Sequence, residues 1–163
     1  MKEKPQIRQD VQLRNMRTIT KAFTDLTIHE LYAILQLRME VFVVEQTCYY
    51  QDCDGRDQES LHHWFEHTNG EIMAYVRICA PGVSYAEPSI GRVIVAENYR
   101  RKSLGKQIME SSIAIATKHF SAGSIRISAQ KYLEDFYTNL GFVPTGKEYL
   151  EDGIPHLEML LNK

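Results

Sequence analysis

Residues 89–120 read SIGRVIVAENYRRKSLGKQIMESSIAIATKHF, and the rest of the chain can be organised around this stretch. Its first part, Ile90 to Ala96, is apolar apart from Gly91 and Arg92, and its β-branched content predicts a buried strand. A polar turn follows, and after it apolar side chains recur at helical spacing. The apolar face of the predicted helix comprises Leu104, Ile108, Met109, Ile113, Ile115, Ala116 and Phe120.

The turn between this strand and this helix is strongly basic. It contains Arg100, Arg101, Lys102 and Lys106, beside a helix start where free backbone N–H groups and about half a positive charge gather. Gly105 lets a phosphate group approach the backbone closely. The stretch therefore predicts an anion site. It is not a P-loop, because Gln107 replaces the required Ser/Thr and Arg100 the first Gly, and no GxGxxG occurs.

Length and composition limit the remaining possibilities. With 163 residues we expect a flexible tail at residues 1–15 and a single domain at residues 16–163. A formal net charge of −2 argues against a general nucleic-acid binder, so the basic turn suits a small anion. Neither a membrane helix nor a signal peptide is evident, which predicts no membrane partner. The cysteines do not frame a disulfide scaffold, which indicates the cytoplasm.

The other predicted elements follow from capping residues, periodicity and turn signals. A strand is predicted near residues 17–23, and a capping box at Thr27 and Glu30 begins a helix that runs to about Phe42. Strands at 61–68 and 71–79 flank Asn69-Gly70, which predicts a type I′ hairpin. Beyond the long helix we expect a strand at 124–130, a short helix at 133–140 closed by Gly141, and two final strands that meet at Asp152-Gly153.

The segment 43–57 is harder to interpret, since it combines aromatic and acidic residues with a DG turn. Such a segment either lines a pocket or serves as a packed connector. Cys48 and Cys53 with His62 and His63 match no standard zinc-finger spacing, so we assign no metal. Histidines on the predicted hairpin, and His119 within the apolar face of the long helix, are interpreted as structural.

Two motifs, in the right order, resemble those of the GCN5-related N-acetyltransferase (GNAT) family. Arg100 to Gly105 resembles motif A, Arg/Gln-x-x-Gly-x-Gly/Ala, with Ser103 at the usual position of the first Gly. Ser103 does not favour the positive φ of that glycine, but it retains the amide. The stretch AQKYLEDFYTNLGF, residues 129–142, resembles motif B, with Gln130 in place of the usual Asn.

Further similarity, from about Ala22 onward, is to the ElaA-like branch of that family. It is carried by LRMEVFVVEQ at 37–46, by Cys48 and Tyr50, by DGRD at 54–57 and by DGIPH at 152–156. The resemblance implies an α/β (α+β) fold whose mixed central sheet is splayed in the middle with helices on both faces. It also implies acetyl-CoA as co-substrate, its pantetheine arm inserted into the sheet. The sequence specifies no acceptor, and a homodimer is compatible with it.

The resemblance also assigns roles to residues. The residues implied to hold the co-substrate are Val93, Ile94, Val95, Arg101, Lys102, Ser103, Leu104, Gly105, Lys106 and Gln130. Tyr137 matches the family's general acid, which protonates the leaving thiolate. Its helical spacing alone favours a packing residue, and the resemblance to motif B shifts the interpretation to the catalytic role. The base is not identified, and the candidates near the acceptor are Glu45, His156 and Glu158.

These observations predict an N-acetyltransferase that moves the acetyl group of acetyl-CoA to a primary amine of a small molecule or peptide. The amine is expected to attack the thioester directly. An alternative is a non-catalytic acyl-CoA binding or sensing protein on the same fold. A further alternative is a small-anion binding module without CoA.

Overall fold

A computed structural model describes residues 15–163. The tail predicted for residues 1–15 lies, apart from Asn15, outside the described residues. The strands are β1 (Met16–Ala22), β2 (Ser60–His67), β3 (Ile72–Cys79), β4 (Ser89–Val95), β5 (Ser124–Gln130), β6 (Val143–Glu151) and β7 (Ile154–Asn162). The helices are α1 (Ile28–Arg38), α2 (Leu104–Phe120) and α3 (Glu134–Thr138), with a π-helical segment at Met39–Glu45. Short 3₁₀ turns lie at Phe23–Asp25, Asp57–Glu59, Glu97–Tyr99 and Lys131–Leu133.

The described strands form one sheet in the order β1-β2-β3-β4-β5-β7-β6. Neighbouring strands are antiparallel except β4 and β5, which run parallel. Within the described residues these two central strands share a single pair of register partners, Ser89 and Arg126. The Arg126 amide also donates to the Pro88 carbonyl at 3.1 Å. Beyond that point the two strands diverge, so the predicted splay in the middle of a mixed sheet is confirmed.

Helices cover both faces of this sheet. Every residue of β3 is buried, and successive side chains of a strand point to opposite faces. Ala74 and Val76 belong to one buried cluster with residues of α2, whereas Tyr75 belongs to a second cluster with Ile34 and Leu37 of α1. Each buried Val, Leu or Ile side chain of these clusters stabilises the fold by roughly 1.5–3 kcal/mol. The predicted fold class is therefore confirmed.

Helix α1 begins at the predicted capping box. The Glu30 amide donates to the Thr27 hydroxyl at 3.1 Å, and the Thr27 amide donates to the Glu30 carboxylate at 2.9 Å. The helix does not continue as an α-helix to Phe42, because a π-helical segment follows Arg38 and extends to Glu45. Hydrogen bonds to the fifth residue widen the turn and redirect the side chains. The segment 43–57, predicted as a loop or connector, is therefore helical at its start.

Helix α2 has the predicted bounds, and its buried residues are Leu104, Ile108, Met109, Ser112, Ile113 and Ala116. The interpretation of His119 as part of the apolar face is wrong, because its side chain is exposed. The last buried residue of the helix is Ala116, so its final turn extends past the fully buried core.

The hairpin between β2 and β3 is confirmed, but its predicted type I′ turn is wrong. Gly70 has a φ of 87°, whereas Asn69 does not adopt a positive φ. The Gly70 amide donates to the His67 carbonyl at 2.8 Å, which closes a three-residue loop with Gly70 in the left-handed region. The Asn69 side chain accepts from the Glu71 amide at 3.0 Å and stabilises this alternative.

Candidate active site

A cleft of about 850 Å³ opens where β4 and β5 diverge. Its walls come from β4, the end of β5, the π-helical segment, α3 and the β6–β7 hairpin. Of the residues singled out from the sequence, Val93, Ile94, Val95, Gln130, Tyr137, Glu45 and His156 line it. Glu158 and the turn residues 101–106 do not. The splay therefore brings together elements that are far apart in the sequence.

Strand β4 is bulged where it forms one wall of the cleft. Gly91 pairs with Arg77 and Ile94 with Tyr75, so two residues of β4 stand opposite a single residue of β3. One of the two, Arg92, has a φ of 52°. A bulge disrupts the ladder of backbone hydrogen bonds and leaves backbone groups available to another partner. The bulge therefore frees strand backbone beside the residues predicted to hold a pantetheine arm.

The basic turn has the backbone conformation of an anion-binding nest at the start of α2. Arg101 and Ser103 have φ values of 62° and 59°, so Ser103 adopts the left-handed conformation that a glycine would favour. The first helical hydrogen bond of α2 runs from the Gln107 amide to the Ser103 carbonyl at 3.1 Å. Within residues 15–163 the amides of residues 103–106 have no acceptor. Convergent free amides at a helix start are an anion-binding arrangement.

Gly105 connects this turn to the cleft. A Cβ atom at this position would lie 3.6 Å from Val95 Cγ2 and 3.8 Å from Phe136 Cζ. Both distances are ordinary contacts, so a methyl group fits beside Val95 and Phe136. Lys102 packs over the Tyr99 ring at 5.3 Å, and Lys106 lies 3.8 Å from the Glu110 carboxylate. The nest is thus made of backbone groups with cationic side chains at its edge.

Tyr137 of α3 is both packed and on the cleft wall. It is 7% exposed and makes edge-to-face contacts with Phe136 and Phe142, at centroid distances of 5.0 and 6.1 Å. Burial raises the pKa of its hydroxyl to about 12. The hydroxyl is therefore protonated at neutral pH. Gln130, at the end of β5, also lines the cleft, and its amide nitrogen lies 3.4 Å from the Gln46 side-chain oxygen.

The three candidate bases have different surroundings. Glu45 is paired with Arg100 at 2.6 Å, and Glu158 is paired with Arg126 at 2.6 Å outside the cleft. His156 lines the cleft, with its Nδ1 atom 2.7 Å from the Ile154 carbonyl oxygen. Both carboxylates are thus occupied by arginines, whereas the histidine is held by the backbone.

A buried network of three arginines and three aspartates supports the cleft, and sequence reasoning missed it. Arg38 is fully buried and contacts Asp52 at 2.7 Å and Asp57 at 2.6 Å. The other members are Arg77, which binds Asp54 and Asp57, and Arg92, which binds Asp52 and Asp54. The network connects the loop at residues 52–57 to Arg92 in the β4 bulge. The sequence did contain a signal, because Arg77 and Arg92 lie within the apolar strands β3 and β4. Arginines are rarely buried unless they are paired.

This network shifts the pKa of its carboxyl groups. Burial alone would raise the pKa of Asp57, but hydrogen bonds and the charges of Arg38 and Arg77 outweigh it and lower the pKa. The pKa of Asp54 is lowered in the same way, against its burial, mainly by Arg77. Both carboxyl groups are thus held ionised and paired.

Other predicted features concern metals and membranes. Within residues 15–163 no group of three or more His, Cys, Asp or Glu side chains is arranged to hold a metal ion. His62 is fully buried and hydrogen-bonds to the Tyr75 hydroxyl at 2.8 Å, which gives it a structural role. No helix in the described part of the chain is long and apolar enough to cross a membrane.

Comparison with known proteins gives the family. The model of the acetyltransferase (GNAT) domain matches residues 22–163. Protein ElaA of Escherichia coli K12 is 42% identical over 137 residues, which cover 83% of this chain and 90% of that protein. The crystal structure of Escherichia coli ElaA superposes with a TM-score of 0.83 at 38% identity, covering 90% of this chain and 99% of that one.

A second solved structure agrees with this result. The crystal structure of an acyl-CoA N-acyltransferase from Pseudomonas aeruginosa has a TM-score of 0.84 at 39% identity and covers 90% of this chain and 99% of that chain. The residues matched by the family model, 22–163, contain the basic turn, β4 and the β6–β7 hairpin. This chain belongs to the GNAT acetyltransferase family, in its ElaA-like branch.

Proposed function

We propose that this protein is a single-domain, cytoplasmic N-acetyltransferase that transfers the acetyl group of acetyl-CoA directly to a primary amine of a small molecule or peptide. One observation carries the proposal. The cleft between the diverging strands joins a bulged strand, an anion nest beside its wall and a protonated tyrosine. If acetyl-CoA bound with its phosphates at the nest and its pantetheine arm along β4, its thioester would extend toward that tyrosine.

The described residues fit such a co-substrate. The free amides of residues 103–106 are donors for its pyrophosphate, and Arg101, Lys102 and Lys106 add positive charge. Residues 93–95 line the cleft beyond the single register pair that β4 and β5 share in the described chain, so their backbone groups on that edge would be available to the amide groups of a pantetheine arm. Gln130 offers a side-chain amide on the opposite wall.

Tyr137 would act as the general acid. A thiolate leaves more readily when a donor protonates it, and a hydroxyl with a pKa of about 12 retains its proton at neutral pH. A strand amide near the bulge would donate to the carbonyl oxygen of the thioester as negative charge develops there. Both groups act more strongly in the transition state than on the bound substrate, which is what catalysis requires.

The test is an acetyl-CoA-dependent thiol-release screen across small amines, polyamines, amino acids and peptides, with mass spectrometry of the products. We expect amine-dependent release of CoA and an acetylated amine. CoA binding without amine-dependent release is what the non-catalytic acyl-CoA binding alternative predicts. An absence of CoA binding would leave only the small-anion module.

A further inference from the structure

We propose that His156 is the general base that removes a proton from the acceptor ammonium group, and that Glu151 passes this proton to solvent. The proposal rests on the proposed function, because a base is needed only if an amine is the acceptor. An alkylammonium ion is not a nucleophile, so one proton must leave before nitrogen attacks the thioester.

The backbone fixes which nitrogen of His156 can accept a proton. Its Nδ1 atom lies 2.7 Å from the Ile154 carbonyl oxygen, and a carbonyl oxygen can only accept a hydrogen bond. Nδ1 therefore carries the hydrogen. In the neutral ring the lone pair is then on Nε2, which makes Nε2 the basic atom of a histidine that lines the cleft.

The position of the ring is fixed as well. His156 is 8% exposed and pairs with Gln130 on one side and Tyr149 on the other. Its ring stacks on that of Tyr149, with an interplanar angle of 17° and a centroid distance of 6.1 Å. Packing, a backbone hydrogen bond and two neighbouring strands thus hold it in one orientation at the edge of the splay. A catalytic base on rigid elements is well placed for proton transfer.

Glu151 lies beside the basic atom of His156. Its Oε2 atom lies 3.8 Å from His156 Nε2, and its side chain is 49% exposed. The carboxylate also accepts from the Ser128 hydroxyl at 3.1 Å. When Nε2 takes a proton, the imidazolium gains this negative partner, and the exposed carboxylate can pass the proton to water. Glu151 is thus a positioning and relay residue.

The two other candidate bases are less suitable. Glu45 lies on the cleft wall, but its carboxylate is bound by Arg100 at 2.6 Å, a contact that an incoming ammonium group would have to displace. Glu158 is outside the lining and contacts Arg126 at 2.6 Å and Lys147 at 3.6 Å. Among the three candidates, His156 is the one that lies on the cleft wall without an arginine or lysine bound to it in the described residues.

The acceptor ammonium gives one proton to His156 Nε2, and the neutral nitrogen forms a C–N bond to the acetyl carbon. As the C–S bond breaks, the thiolate takes the proton of the Tyr137 hydroxyl. The second proton lost by nitrogen returns to the Tyr137 oxygen. The proton on His156 leaves through Glu151, so the net products are an acetylamide, CoA thiol and one proton in solution.

The test compares two acceptors with different needs for a base. Hydroxylamine is largely unprotonated at neutral pH, whereas a primary alkylamine from the screen is protonated. With His156→Gln we expect alkylamine turnover at pH 7 to fall by roughly 100-fold or more, a typical loss of base catalysis. Hydroxylamine turnover, after subtraction of the uncatalysed reaction, should fall less than about threefold, since no base is required. His119→Gln, an exposed histidine outside the cleft, is the matched control and should change neither rate.

Two further measurements exclude a merely structural effect. The melting shift induced by acetyl-CoA should be the same in His156→Gln as in the wild type. Added imidazole should partly restore alkylamine turnover in His156→Ala, because it supplies the missing base. Equal losses with both acceptors, or no loss with either, would overturn the role of His156. If none of the amines in the screen makes the wild type release CoA, the proposed transfer itself fails, and the proposed base fails with it.

Discussion

Replacement of Tyr137 by Phe separates catalysis from packing at one atom. The variant removes the hydroxyl and keeps the ring, so the edge-to-face contacts with Phe136 and Phe142 are retained. We therefore expect the free energy of unfolding to change by no more than about 1 kcal/mol. Acetyl-CoA affinity should change little. Turnover with an amine should fall by roughly tenfold to a thousandfold, which corresponds to about 1.4–4 kcal/mol of lost transition-state stabilisation.

The pH dependence makes this prediction sharper. Burial raises the pKa of Tyr137 to about 12, so the hydroxyl remains a proton donor across the neutral and mildly alkaline range. An ordinary thiol has a pKa of about 8.5, and above that pH the leaving thiolate needs less protonation. The deficit of Tyr137→Phe should therefore narrow as the pH rises, provided that chemistry limits the rate.

The matched control is Tyr132→Phe, the same change at another tyrosine of the cleft wall. Tyr132 is 75% exposed, so its hydroxyl is already solvated and should contribute little to turnover. The assay is steady-state CoA release with one acceptor, followed from neutral to alkaline pH in wild type and both variants. Equal turnover of Tyr137→Phe and the wild type at every pH would remove Tyr137 from the mechanism and leave it a packing residue.

Three further predictions concern binding and stability. Gly105→Glu should abolish the melting shift induced by acetyl-CoA, because bulk and negative charge would enter the nest region. In the control Gly123→Glu, a Cβ atom would meet no other atom within 4 Å, so the melting shift should remain. A normal shift in folded Gly105→Glu would refute the nest. Arg38→Met should lower the free energy of unfolding, measured in urea, by roughly 3 kcal/mol. The change removes one arginine from the buried carboxylates of Asp52 and Asp57, which keep Arg92 and Arg77 as partners. An unchanged urea midpoint would contradict this. Stability should fall on acidification below about pH 6.5, because burial lowers the pKa of His62 and His63 in the folded state and the unfolded chain binds the protons first. A urea midpoint that is constant between pH 7 and 5 would count against it.

The sequence predicts the fold well where local signals and packing agree. The capping box at Thr27, the apolar face of α2 and the glycine at position 141 each specify an element boundary by a local mechanism. The capping box marks the start of α1, and α2 covers its predicted apolar face. Helix α3 ends at Thr138, earlier than predicted, and Gly141, with a φ of 94°, lies just beyond it. The splay between β4 and β5 followed from family resemblance alone, since no periodicity encodes where two strands part.

The sequence does not predict features that depend on distant partners. The π-helical segment begins after Arg38, whose side chain binds Asp52 and Asp57, 14 and 19 positions later in the chain. Asn69 could have formed a type I′ turn, but its side chain instead accepts the Glu71 amide. The conformation of Ser103 also departs from the usual preference, and the surrounding turn imposes it. The surroundings of Glu45, His156 and Glu158 became distinguishable only when their tertiary partners were known.

In the proposed function, the acetyl group passes directly from acetyl-CoA to an amine in this cleft. The most direct measurement follows radiolabelled acetyl groups in a single turnover, first with acetyl-CoA alone and then with an amine from the screen. We predict that the protein acquires no label without the amine, and that the label appears on the amine in step with CoA release. Label retained on the protein, or CoA bound without transfer of label to any amine, would rule out direct transfer from acetyl-CoA to an amine.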